Sequence, residues 1–212
     1  MRASRLPLLL APLLILASGE AAAQGYAPSS EEEAKVISVL GLGPGKVVGE
    51  IGAGDGQLAI RVARAVSPGG RVYATELGDS KRETLKRSAG NAGAANLEVV
   101  EAQAAATGLP KECCDAVFMR DVYHHLTAVD PILADLRQVL RPGGRLLIID
   151  FEPRASLPGV EGVKENRRGH GIPMSILVEE LRGAGFEVLS QDAAWRPNLY
   201  AVVARLMPPA AK

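Results

Sequence analysis

The chain has 212 residues, enough for one domain with a substantial core and too few for two comfortable ones. Hydrophobic residues make up 47% and charged residues 23%, the balance of an ordinary globular protein. Basic and acidic residues stand at 24 each, so no global field recruits a membrane surface or argues for nucleic acid as a substrate.

Residues 1 to 23 form a compositional unit of their own. Arg2 and Arg5 precede an apolar run from Leu6 to Ala17, and small residues follow, ending in Ala21-Ala22-Ala23. A positive start, a short apolar middle and an A-x-A end mark a secretory signal peptide, with cleavage expected after Ala23. Pro7 and Pro12 interrupt the run, which is too short to span a bilayer core of roughly 30 Å comfortably. An uncleaved membrane anchor and a buried N-terminal helix are the alternatives. The expected location is outside the cytoplasm, in the periplasm, unless the segment tethers the chain or translation starts downstream and leaves it cytoplasmic.

Residues 24 to 35 read as an N-terminal segment, polar at first. A short helix then runs from Glu31 to Leu40, with Ser29 or Ser30 as its cap and acidic residues in its first turn. The main domain is taken as residues 36 to 207, followed by a tail at 208 to 212. Its first strand is Val47 to Ile51. Three glycines in five residues follow it, Gly52, Gly54 and Gly56, before a helix that begins near Gln57. Such a turn admits positive φ and lets a ligand approach the main chain with no Cβ in the way. The helix start directs unpaired N–H groups back at the loop, which suits an anionic or polar ligand group. The spacing is G-x-G-x-G. In the dinucleotide-binding fingerprint the third glycine would fall on Gln57.

A second strand, Arg71 to Leu77, contains Glu76 near its end. Ser80 with Glu83 predicts a capping box for the next helix, to Ala89. A third strand spans Leu97 to Glu101. Cys113 and Cys114 are adjacent, and a bridge between neighbours closes a strained ring, so they are read as ordinary loop residues with no disulfide. No zinc spacing exists and no metal ligand set is read. The fourth strand, Ala116 to Arg120, runs into Asp121-Val122-Tyr123-His124-His125-Leu126. Thr127 is the expected cap of a helix with Pro131 near its start. Arg141-Pro142-Gly143-Gly144 stops that helix before a continuously apolar fifth strand, Arg145 to Phe151, as a sheet covered on both faces requires. A linker from Glu152 to Ile172 carries Arg154, Lys164, Arg167, Arg168 and His170. A helix from Pro173 to Ala184 and two strands, Phe186 to Gln191 and Leu199 to Leu206, complete the chain. This alternation predicts a doubly wound α/β domain.

Residues 36 to 206 resemble the class I S-adenosylmethionine-dependent methyltransferases. The resemblance rests on Glu50-Ile51-Gly52-Ala53-Gly54-Asp55-Gly56, on Glu76, on Asp115 to Leu126 with its DVYHHL ending, and on LRPGGRLLIID from Leu140 to Asp150. Ala184-Gly185-Phe186 before the terminal hairpin adds to it. It implies a single seven-stranded sheet of order 3-2-1-4-5-7-6, flanked by helices, with only strand 7 antiparallel. It also implies S-adenosyl-L-methionine as cofactor. Gly52, Ala53, Gly54, Asp55 and Gly56 would then pack against the methionine portion, with Glu50 orienting its amino group. Glu76 would accept both ribose hydroxyls, and Leu77 would pack against adenine. Gln103 stands where many members place an Asp for the adenine amino group, a departure that weakens adenine recognition. Arg120, by its backbone, and Asp121 would flank the methionine end.

Tyr123, His124 and His125 would line the route to the acceptor, and a His is a credible base for a hydroxyl acceptor. Consecutive residues on an emerging helix point in different directions, so at most one His is expected to face the cleft. The basic linker reads as an acceptor lid and hints at an anionic or carboxylate-bearing acceptor. The expected activity is in-line methyl transfer to a small-molecule or lipid-like acceptor. A non-catalytic S-adenosylmethionine-binding protein and a nicotinamide-dependent oxidoreductase are the alternatives.

Overall fold

The computed structural model describes residues 27–164, 167 and 169–207. Residues 1 to 23, read above as a signal peptide, and the tail at 208 to 212 lie outside the described residues. Seven strands form one sheet: β1 (Val47–Ile51), β2 (Arg71–Glu76), β3 (Leu97–Glu101), β4 (Cys114–Arg120), β5 (Leu140–Asp150), β6 (Phe186–Arg196) and β7 (Leu199–Leu206). Their order is β3-β2-β1-β4-β5-β7-β6, as the resemblance implied. The β1–β2, β2–β3, β1–β4 and β4–β5 ladders are parallel, and β7 runs antiparallel to both β5 and β6.

Helices cover both faces, and the strand pleat decides which residues each face receives. In β4, Ala116 and Phe118 point one way and Val117 and Met119 the other, all fully buried. The first pair joins a cluster with α1 (Ser30–Leu40), α2 (Gln57–Ala65) and Leu85 of α3 (Asp79–Asn91). The second pair joins a cluster with α4 (Val129–Val139) and α5 (Met174–Gly183). Burying a side chain the size of Phe118 contributes about 1.5–3 kcal/mol, so β4 is anchored from both sides.

The caps differ from expectation at two helices. Gly78, at φ 78° and ψ 148°, turns the chain so soon after β2 that α3 starts at Asp79, which puts Ser80 inside the helix and leaves no side-chain cap. Its backbone carbonyl instead accepts the hydroxyl of Thr84. Ala128, not Thr127, is the N-cap of α4, because a 3₁₀ turn (Tyr123–His125) takes up the chain between β4 and the helix. At α1 the expectation holds, with Ser29 accepting the Glu32 N–H at 3.1 Å.

The cysteines also depart from expectation: Cys113 and Cys114 are joined by a disulfide. β4 begins at Cys114 rather than Ala116, and its register against β5 slips between Cys114 and Ala116. A regular strand would send two neighbours to opposite faces. Here both sulfur-bearing side chains meet the same apolar cluster.

α1 is bolted to the sheet by charge. The wholly buried Glu32 carboxylate accepts Arg120 Nε at 3.0 Å and Arg196 Nη1 at 2.5 Å. Removing one partner of such a buried set is strongly destabilising, since it strands an uncompensated charge.

Candidate active site

The strand order reverses between β1 and β4, and in open α/β sheets ligands collect beyond the carboxyl ends of the strands at that point. A cavity of about 790 Å³ opens there. Glu50, Gly52, Ala53, Gly54, Asp55, Glu76, Leu77, Gln103, Arg120, Asp121 and His125 all line it. Gly56, Tyr123 and His124 do not.

The loop after β1 explains two of its glycines. A Cβ on Gly52 would stand 2.6 Å from Val122 Cγ2, so this position is closed by packing against the segment after β4. A Cβ on Gly54 would meet nothing within 4 Å, yet its φ is +60°, so here the open space is the cavity itself. Asp55 spends its carboxylate locally, accepting the Gln57 N–H at 3.2 Å and Gln57 Nε2 at 2.6 Å.

Two glutamates set the polarity of the cavity. Glu76 Oε1 accepts the Gly54 N–H at 2.7 Å, and Oε2 accepts the Leu77 N–H at 3.0 Å. These bonds fix the carboxylate plane, and each oxygen keeps further acceptor capacity. Glu50 is only 4% exposed, and its Oε2 has no hydrogen-bond partner. Burial pushes its carboxyl well above the ordinary range; the Arg120 cation opposes the shift, and Asp55 and Glu76 reinforce it. A cationic ammonium beside Glu50 would satisfy that oxygen and favour its charged form. Leu77 is 52% exposed at the cavity, and Gln103, also exposed, bonds to Ala106 through its backbone. An acid with one unpartnered oxygen for an amino group, an oriented carboxylate for a diol and an open glycine cradle fit S-adenosylmethionine.

Asp121 has a left-handed backbone, φ 61°, at the end of β4. Such a conformation is costly for a residue with a side chain, and it clusters at functional sites. Its N–H is held by Ile149 O at 2.9 Å.

The three residues expected along the acceptor route separate. Tyr123 is buried and turned away from the cavity, its hydroxyl donating to Glu180 Oε2 at 2.8 Å. Burial and the neighbouring Glu180 charge push its phenol further up, so it is no acid or base for the cavity. His124 is 1% exposed and faces Asp150 Oδ1 through Nδ1 at 2.8 Å. Only His125 lines the cavity. Burial, then the neighbouring His124 and His170, hold its imidazole below the usual value. Consecutive positions on a tight turn diverge, as the helix geometry requires.

The sequence reading gave no individual role to Asp150 or Arg167 and did not single out the Thr107–Asp135 pair. Asp150 is fully buried and pins the 3₁₀ turn to β5, its Oδ2 accepting the His124 N–H at 3.1 Å. A carboxylate ending an otherwise apolar strand was the available signal. Arg167, from the linker, is 1% exposed and donates to Leu126 O at 2.9 Å and Tyr123 O at 3.2 Å, with Glu180 beside it. Thr107, at the cavity wall, donates its hydroxyl to Asp135 at 2.6 Å, and nothing in the local pattern announces that pair.

The sheet order and the cavity at its switch point are similar to those of methyltransferase domains, and the cavity's residues suit S-adenosylmethionine as cofactor. Residues 49–148 match the family model described as a methyltransferase domain. A SAM-dependent methyltransferase from Aquifex aeolicus is 25% identical with a TM-score of 0.71, covering 82% of this chain and 89% of that one. The structure of the cyclase SpnF is 19% identical with a TM-score of 0.67, covering 83% and 80%, which is a likeness of fold. The ubiquinone/menaquinone biosynthesis C-methyltransferase UbiE of Marinomonas sp. (strain MWYL1) is 31% identical over 123 residues. Those residues are 57% of this chain and 49% of that protein, so the chain spans about half the length of the curated relatives it matches.

Proposed function

We propose that this chain is an S-adenosylmethionine-dependent methyltransferase that acts on a small-molecule or lipid-like acceptor by in-line transfer. The observation that carries the reading is the pairing, on one cavity, of the unpartnered Glu50 Oε2 with the Glu76 carboxylate that Gly54 and Leu77 orient. S-adenosylmethionine, when bound, supplies a methyl group on a sulfonium that departs as a neutral thioether. The chain's task is therefore positioning, which can supply much of the rate. Glu50 holds the amino group, Glu76 holds the ribose hydroxyls, and Leu77 covers the adenine, with Gln103 beside it. The side chain of Asp121 and the backbone at Arg120 border the methionine end. His125, the one histidine on the cavity wall, is the base for an acceptor that must lose a proton.

Relatives named for C-methylation in ubiquinone and menaquinone biosynthesis support a lipid-like acceptor. The linker after β5 supports a lid role: Arg167 holds it against the 3₁₀ turn that carries His125. Export through residues 1 to 23 belongs to the same proposal, with N-terminal sequencing of the native protein as its check. A tritiated-methyl assay against fractionated cell material tests the activity. Label is expected in the lipid-soluble or small-molecule fraction. Cofactor binding without transfer to any fraction would favour a non-catalytic binding protein instead.

A further inference from the structure

His124, His125 and His170 are the three histidines of the chain, and they stand together although 45 residues separate the last from its neighbour. One nitrogen from each lies within 4.8 Å of the others. The His124 and His125 ring centroids are 4.0 Å apart, and those of His124 and His170 are 5.0 Å apart. Imidazoles ligating a tetrahedral ion at about 2.0 Å would place their nitrogens roughly 3.3 Å apart, so a small closure completes the set.

Two further observations point to a ligand. The side chain of His124 is wholly buried, and its Nε2 has no partner. A buried polar atom left unpaired costs about 1–3 kcal/mol, a debt that a ligand at Nε2 would cancel. The second observation is the orientation of the other ring nitrogens. His124 Nδ1 meets the Asp150 carboxylate at 2.8 Å, and His170 Nδ1 meets Pro158 O at 3.2 Å. A carboxylate or carbonyl behind the distal nitrogen is how metal-ligating histidines are held and made more basic.

We infer that His124 Nε2, His125 and His170 bind one first-row divalent transition ion at the wall of the cavity. An all-imidazole set suits zinc, copper, nickel or iron, and does not suit magnesium or calcium, which take oxygen ligands. Phe151 packs edge-on to His124 and stacked on His170, an apolar shelf that keeps the rings in place. An ion on His125 takes the lone pair that a base at the cavity wall would use, so His125 accepts a proton only in the metal-free chain. Binding of the ion is read directly, and its test does not depend on methyl transfer.

The test uses the full chain, purified without a polyhistidine tag, stripped with a chelator and titrated with Co²⁺ as an optical probe and Zn²⁺ by calorimetry. The expected result is about one ion per chain, with visible d–d absorption of a nitrogen-ligated Co²⁺ site. His170→Ala, whose side chain sits in the half-buried linker, should weaken binding by at least about 100-fold and alter the spectrum without a change in circular dichroism. Asp150→Asn should weaken it about 10–100-fold through His124. Absence of Co²⁺ and Zn²⁺ binding by the wild-type chain up to about 1 mM would overturn the inference. So would binding that His170→Ala and His124→Ala leave unchanged.

Discussion

The carboxylate of Glu76 accepts the amide N–H of Gly54 at 2.7 Å, joining the end of β2 to the loop that follows β1. The bond orients the carboxylate and holds the loop open at the one glycine whose missing Cβ faces only the cavity. Gly54→Ala therefore separates two effects. In the cofactor-free protein the cost is backbone strain at positive φ, about 1–2 kcal/mol, because no neighbour is struck. In the bound state the new methyl occupies the cradle. Thermal unfolding should fall by a few degrees, whereas calorimetry should show S-adenosylmethionine binding weakened by more than about tenfold. Equal affinity in the variant would mean the cofactor does not approach Gly54.

Glu50 yields a prediction of opposite sign for stability and binding. Burial raises its folded-state pKa above the unfolded value, so its favourable contribution is complete below about pH 4.5 and is lost as pH rises through the raised folded value. Glu50→Gln removes that loss. The cofactor-free variant should gain more stability over wild type at pH 8 than at pH 4.5. The gain is read as about 2–4 °C in Tm for each kcal/mol in a chain of this size. The same substitution should weaken S-adenosylmethionine binding by removing the counter-charge for its amino group. A stability difference that does not change with pH would count against the buried acid.

Much of this site is written locally, and the remainder is not. Glu50 to Gly56, Glu76 and the strand from Leu140 to Asp150 are short patterns whose residues act within one strand and its following turn. Their meaning survives reading in isolation. The His124–Asp150 contact, the approach of His170 and the Arg167–Glu180 pair join residues brought together by packing, and no periodicity records them. Ser80 and Thr127 misled for a related reason. Capping chemistry was present, but Gly78 and the 3₁₀ turn moved each helix start by a residue or more. Cys113 and Cys114 are set aside in the sequence because a bridge between neighbours closes a strained ring; the fold accommodates that ring at the start of β4, where the register slips.

Asp115 fastens the start of β1 to the start of β4. Its Oδ2 accepts the Val47 N–H at 2.8 Å and Arg141 Nη1 at 2.9 Å, and Lys46 lies at 3.3 Å from Oδ1. Burial alone would raise its carboxyl, but the Val47 N–H and the Lys46 and Arg141 cations outweigh that and hold it below the ordinary 3.8. A lowered folded-state pKa contributes stability present above the unfolded value and lost as pH falls through the folded one. Asp115→Asn should cost about 1 kcal/mol at pH 7, a modest figure because the site is partly hydrated. The difference should shrink below pH 3.8, as chemical denaturation across pH 2–7 would show. A constant difference over that range would rule out a charge-dependent role.

The most direct measurement is calorimetric titration of S-adenosylmethionine into the full chain and into Glu76→Ala. Two hydrogen bonds from ribose hydroxyls to a carboxylate are together worth about 3 kcal/mol, equivalent to about 100-fold in Kd. The account predicts saturable binding by the wild-type chain, a loss of about that size in the variant, and no heat from a nicotinamide dinucleotide in either. Unchanged affinity in Glu76→Ala, or a wild-type chain that takes up no S-adenosylmethionine, would contradict it.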